Sequence, residues 1–554
     1  MFLLAAALLL LPGFAQGGAV WPLPLTVATG EKVLHLDVER FHFKAIGYES
    51  ELLSEAFKRY EELIFDTPSH LAEEALRGGA PANTSALAGA LGRSRHTRIK
   101  RLRVYVGSYD QSLNLQTDES YTLSIASPTS TLQATTVFGA LRGLETFSQL
   151  AGVEEGVDEE HGQQGLAKHK KHKHKRHEKK KHKKKKRRRR RSDSAFLVRV
   201  ASIWDAPRFA HRGLLLDTGR HFLPVSALKD TLDAMAWAKL NVLHWHLVDD
   251  QSFPYASEAL SRLAAAGAFS PAHTYSLDDV RGVVAYARAR GIRIVPEFDT
   301  PGHTASWGRG YPDLLTDCYN ESGARTGAGP LDPTRNGTYG ALWRLLREAA
   351  GVFPDAYVHL GGDEVDLACW ESNPAIKQWM AQHNMRNVRA LLSMFEERVL
   401  SLAATAGRSY IVWQEVLDNG VRLRNDAVVH LRRVTGKGYR TLLSSPWYLN
   451  LGGFATPDWE AYYGVEPTAF GGSSEQQQLI IGGEACMWGE FVDATNLIQQ
   501  TWPRANAVAE RLWSGKDIRD VDAARPRYAE HRCRMLARGL GARPDTGPGF
   551  CPQD

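Results

Sequence analysis

Asp363 and Glu364 stand side by side directly after Gly361-Gly362, where the apolar run Tyr357-Leu360 ends. Successive residues of a regular strand face opposite sides, so both carboxylates can enter one site only where the strand is ending. The glycine pair permits that bend. An acid to protonate a glycosidic oxygen, with indole faces for the apolar side of a sugar, is the equipment for cleaving a glycosidic bond. Sequence neighbours are badly placed to flank a bond from opposite faces, which points to a nucleophile supplied by the substrate. Other polar groups follow short apolar runs in the same way: Asp217 to His221, His244 to Asp250, Glu297 to His303, Trp413 to Glu415, Trp447-Tyr448, and Glu484 to Glu490. A single acid in such a place is ordinarily a solvated loop residue or half of an ion pair. Seven such segments are hard to attribute to solvation.

Groups scattered over 270 residues need a frame that gathers strand ends. From Pro207 onward, the runs Gly213-Leu216, Asn241-Leu247, Ile292-Phe298, Tyr357-Leu360, Tyr410-Val412, Ala427-Leu431, Thr441-Leu443 and Leu479-Ile481 alternate with helical stretches such as Val225-Lys239 and Leu277-Arg290. Eight such runs joined mostly by helices predict an α/β fold, a (β/α)8 TIM barrel over 196–554 with its site at the C-terminal strand ends. An open doubly wound sheet would carry a GxGxxG turn after a strand, and none is present. Residues 18–150 read as a smaller α+β supporting domain, with strands at Leu102-Val106 and Tyr121-Ile125 and helices at Leu52-Phe65 and Thr136-Leu150.

The 554 residues carry a net +6, but Lys168–Arg191 alone holds 18 Lys/Arg against one Glu, leaving 50 basic and 61 acidic residues elsewhere. The folded body is therefore acidic, which argues against a nucleic-acid surface spread over the fold. Residues 151–195 are expected to be a disordered low-complexity insertion, because like charges this dense bury nothing. The insertion reads as tolerated in a surface loop, with polyanion binding as the alternative. Residues 1–17 read as a signal peptide without the usual basic n-region, too short to span a bilayer. Sequons at Asn83, Asn320 and Asn336 suit the secretory pathway, as do five cysteines without CxxC spacing. Neither a zinc site nor a cofactor is expected.

The stretches DTGRHFLP, NVLHWHLVDDQSFPY, EFDTPGHTASWG, HLGGDEVDLACWESNP, IVWQEV, SPWYLN and GGEACMWGE closely resemble the lysosomal β-N-acetylhexosaminidases of glycoside hydrolase family 20. DNGVRL, WYLN and AVAERLWS are most similar to that family's α-subunit branch. The resemblance covers nearly everything from Trp21 to Cys551 except the insertion. It implies exo-acting, substrate-assisted retaining hydrolysis of terminal N-acetylhexosaminides. Glu364 would be the general acid, and Asp363 would orient the 2-acetamido group. Tyr448 would donate to its carbonyl. Arg220, Asn450 and Glu490 would serve the sugar, Trp413 and Trp488 would line the pocket, and Asp249 with His303 would form a proton relay. It further implies disulfides Cys318–Cys369 and Cys533–Cys551 with Cys486 free, a lysosomal destination, a homodimer or a heterodimer with a related subunit, and a lipid-presenting activator protein.

Three departures qualify that reading. Leu451 stands where the α branch has an arginine that favours anionic sugars. Ser50 and Tyr109 stand near a lost N-terminal disulfide. Only Arg432–Arg440 separates the sixth and seventh runs, too short for a crossover helix and lacking a pocket tryptophan. This departure predicts an unstable or impaired barrel and keeps a catalytically silent sugar-binding relative as the alternative.

Overall fold

The computed structural model describes residues 20–66, 98–153, 196–431, 438–451 and 458–551. The expected signal peptide, Asn83 and the basic run lie outside them. In the N-terminal sheet the strands run in the order His42–Ile46, Arg101–Val106, Ser130–Ala134, Tyr121–Ile125, Phe196–Asp205, Thr26–Leu36 and Arg98–Ile99. Alternation along Tyr121–Ile125 buries every second side chain, the period a one-sided core requires. Helices Glu51–Phe65 and Val137–Leu150 supply the other half of that core. Ser50 caps the first of them, accepting from the Leu53 amide, and Tyr109 donates to the Gly47 carbonyl.

One boundary is corrected. Phe196–Asp205 was expected to open the barrel domain; instead it pairs with both Thr26–Leu36 and Tyr121–Ile125. The sheet needs this central strand to bridge its two halves, so the barrel begins after Asp205.

Eight parallel strands close the barrel: His211–Asp217, Val242–His246, Arg293–Glu297, Tyr357–His359, Ser409–Trp413, Val428–Leu431, Arg440–Leu443 and Ile480–Met487. The eighth is longer than its apolar run predicts, because Glu484 to Met487 stay paired with the first strand. Strands six and seven pair in parallel from Val428 with Arg440 to Leu431 with Leu443. Four-residue strands must be retraced over only about 13 Å, and eight residues extend to about 26 Å, so closure needs no helix. Residues 432–437 of that connection lie outside the described ones.

The two domains meet through buried charges. Glu119 accepts from Arg142 and Arg212, each at 2.7 Å, and from Asn241 at 2.7 Å. Burial favours its neutral form, yet the two guanidinium groups hold it down to about 2. Asp205 takes Lys239 at 2.8 Å and the Trp513 indole at 3.0 Å.

Candidate active site

The loop after the fourth strand carries the acid pair. Gly361 and Gly362 have φ of +69° and +97°. A Cβ at Gly361 would lie 1.7 Å from Asp299 Oδ1, and one at Gly362 would lie 2.2 Å from Val416. The bend is thus reserved for glycine twice over. Glu364, at φ +53°, is a non-glycine residue in the left-handed region, where strain often marks function. Its amide donates to Glu415 Oε2 at 3.0 Å. The bend separates the neighbours: Glu364's side chain is 68% exposed, whereas Asp363 Oδ1 is buried with no hydrogen-bond partner. Burial, with Glu297 nearby, raises Asp363 to about 6 against the opposing pull of His303.

A line of polar contacts runs from His246 to Glu364. His246 Nε2 lies 2.7 Å from Asp249 Oδ2, Asp249 Oδ1 lies 3.3 Å from His303 Nδ1, and His303 Nε2 faces Glu364 Oε2 at 3.7 Å. Burial disfavours the imidazolium of His303, but the bond to Asp249 outweighs it and raises the pKa. Burial likewise favours the acid form of Asp249, yet the contacts from His246 and His303 hold it far down.

Arg220 follows the first strand, 3.0 Å from both Asp217 Oδ2 and Asp249 Oδ2, with its guanidinium 5.2 Å above the Trp488 ring. With exposed Glu490 it borders a cleft of about 600 Å³ that also takes in Phe222 and Phe269. Trp413, Trp488 and Cys486 cluster with half-buried Tyr448; the two indoles are 5.8 Å apart. Trp413 donates to Glu297 Oε1 at 2.9 Å, which fixes its ring. Asn450 Oδ1 is buried without a partner, and Leu451 beside it is 76% exposed. Every candidate binding residue therefore borders the mouth of one barrel. Cys318–Cys369 and Cys533–Cys551 are disulfide bonded, and Cys486 is free and buried. Asn320 and Asn336 are exposed.

Residues 209–516 match the family model "Glycosyl hydrolase family 20, catalytic domain". The chain belongs to glycoside hydrolase family 20. Residues 20–150 match a model described as beta-acetyl hexosaminidase like. The chain is 44% identical to the beta-hexosaminidase subunit beta of Homo sapiens, over 97% of this chain and 90% of that protein. It is 42% identical to the subunit alpha of Bos taurus, over 99% and 98%. Identity over the whole length therefore does not single out the α branch. A chitobiase structure from Flavobacterium johnsoniae superposes with a TM-score of 0.74 at 28% identity, covering 94% of this chain and 73% of that one.

Two buried groups of this family 20 site stand in apolar stretches of the sequence. Glu396, on helix Val388–Thr405, is buried behind Asp363, and both burial and that neighbour raise its pKa to about 8. His430 is buried against the Trp413 ring at 4.3 Å. It was the one polar residue in the apolar run Ala427-Leu431, and that mismatch was the available signal.

Proposed function

We propose that Asp363 and Glu364 give this chain its exo-acting β-N-acetylhexosaminidase activity on terminal non-reducing GlcNAc and GalNAc of glycans, gangliosides and glycosaminoglycans. The acetamido oxygen attacks the anomeric carbon while Glu364 protonates the departing oxygen. Asp363 accepts from the acetamido N–H; the positive charge that develops on the cyclic intermediate favours its ionised form, which offsets that charge. Glu364, now the base, activates the water that opens it, and the configuration is retained. Tyr448 donates to the acetamido carbonyl. Arg220, Asn450 and Glu490 hold the sugar, and Trp413 and Trp488 enclose it. His303, charged at acid pH, carries the influence of Asp249 to Glu364.

The observation that supports this reading best is the division within the acid pair: an exposed carboxyl facing His303 and a buried one with a free oxygen. Exposed, uncharged Leu451 supports a preference for neutral over sulfated sugars. The 40–44% identity to alpha and beta subunits supports pairing with a second copy or a related subunit in the lysosome, with a lipid-presenting protein delivering ganglioside. Release of a chromophore from neutral and 6-sulfated N-acetylglucosaminides at acid pH tests the activity; no turnover of either would refute it.

A further inference from the structure

Gly361, Gly362 and Glu364 all have positive φ, and at Glu364, which carries a Cβ, that conformation persists only where the surroundings fix it. Side chains accept from all three amides. Gly361 donates to His359 Nδ1 at 3.1 Å and Gly362 to Asp299 Oδ1 at 2.9 Å, and both acceptor residues are buried. The third acceptor differs. Glu415, which takes the Glu364 amide on Oε2 at 3.0 Å, is exposed.

Glu415 lies just past the fifth strand, in a segment that meets the bend residue by residue. The Trp413 amide donates to the Gly361 carbonyl at 3.0 Å. A Cβ on Gly362 would lie 2.2 Å from Val416 Cγ2. Gly302, from the loop after the third strand, also packs closely on the bend: a Cβ there would lie 3.0 Å from the Asp363 carbonyl oxygen. Among the described residues, the Glu364 amide is the one group that the Glu415 carboxylate bonds. An exposed acid of this kind adds little to the stability of a fold.

We propose, on the reading that Glu364 is the general acid, that Glu415 is a positioning residue that fixes this acid through its backbone. A carboxylate makes a stronger acceptor for an amide than a neutral group does. The bond holds the Glu364 main chain in the left-handed region, so its carboxyl starts from a set point beside His303. Without it, the backbone is free to relax toward the negative φ that a residue with a Cβ prefers, and the carboxyl swings with it. Proton transfer needs heavy atoms within about 2.6–3.2 Å, so a displacement of ~1 Å is enough to slow it.

The test compares Glu415→Met, which keeps the length of the side chain but loses the oxygen acceptor, with Glu415→Gln, which keeps one. For each, kcat/KM is measured on aryl N-acetylglucosaminides with a poor and with a good leaving group. Glu415→Met should lose on the order of 10–100-fold on the poor leaving group and less than about threefold on the good one, because only the first needs the acid. Glu415→Gln should recover most of that loss. Both thermal midpoints should stay at the wild-type value, since the side chain is exposed. Adding Glu415→Met to Glu364→Gln should cost nothing further, because residues that act as a unit are not additive. An equal loss on both leaving groups, or a glutamine variant as impaired as the methionine one, would overturn the role. Near-normal turnover by Glu364→Gln would refute the acid assignment itself, whereas a deficient Glu364→Gln beside an unimpaired Glu415→Met would overturn only the role of Glu415.

Discussion

Buried charges occur both at the seam between the domains and inside the barrel, and they are satisfied to different degrees. At the seam, Glu119 meets Arg142, Arg212 and Asn241, and Asp205 meets Lys239 and Trp513. Inside and above the barrel, Asp363 Oδ1, Glu396 Oε1 and both nitrogens of His430 lack partners. Complete pairing fastens two domains in one arrangement. Glu145 Oε2 shows that the seam is not wholly closed; open valences are costly in a finished fold, and above the barrel a substrate can complete them.

Removing an open group and removing a closed one should therefore fail in different ways. Glu364→Gln keeps the volume but cannot deliver a proton, so turnover of a substrate with a poor leaving group should fall ~10²–10⁴-fold with the thermal midpoint unchanged. Near-normal steady-state turnover would remove Glu364 from the acid role. Glu119→Ala should do the reverse. Two buried arginines lose their carboxylate, stability should drop by about 3–5 kcal/mol, and turnover per folded molecule should hold. Denaturant unfolding reads this; an unchanged midpoint would mean that the seam is not a fastener.

Glu396 sharpens the contrast through pH. Its folded pKa of about 8 lies above the usual 4.5. Its stabilising contribution is therefore full below pH 4.5 and is lost as the pH rises through about 8. Glu396→Gln should match the wild type at pH 4.5 and exceed it by a few kcal/mol, to order of magnitude, near pH 9. Equal unfolding midpoints at both pH values would contradict the raised pKa. The smallest effect belongs to the rim. Leu451→Arg should raise activity on the 6-sulfated sugar several-fold, roughly the ~1 kcal/mol of an exposed charge contact. A wild type that already prefers the sulfated sugar would refute this reading of position 451.

The barrel was legible in sequence because its apolar runs and polar ends follow the chemistry of parallel strands, and seven of the eight runs lie within two residues of the observed strands. The exception, read as Leu479-Ile481, shows the limit. Gly482, Gly483 and Glu484 break the apolar pattern, but the strand continues because the interior beside it is polar: a Cβ at Gly213 would lie 2.4 Å from Glu484 Cγ. Phe196–Asp205 was assigned to the barrel because the insertion separates it in sequence from the sheet it joins. The short sixth connection was read as a defect from average crossover lengths, although strands of four residues need less chain. The glycine bend that carries the acid pair was legible, since adjacent side chains can leave a strand together only where its alternation breaks. Glu396 and His430 were not, because they sit in apolar stretches whose period speaks for core packing.

The central claim is that the substrate's own acetamido oxygen is the nucleophile, oriented by Asp363 through the acetamido N–H. The most direct measurement is turnover across aryl glucosaminides whose N-acetyl group carries none, one, two or three fluorines, with the leaving group held constant. Each fluorine withdraws electron density from the attacking oxygen, so the rate should fall progressively along the series. A rate indifferent to fluorination would assign the attack to a protein carboxylate and contradict the account.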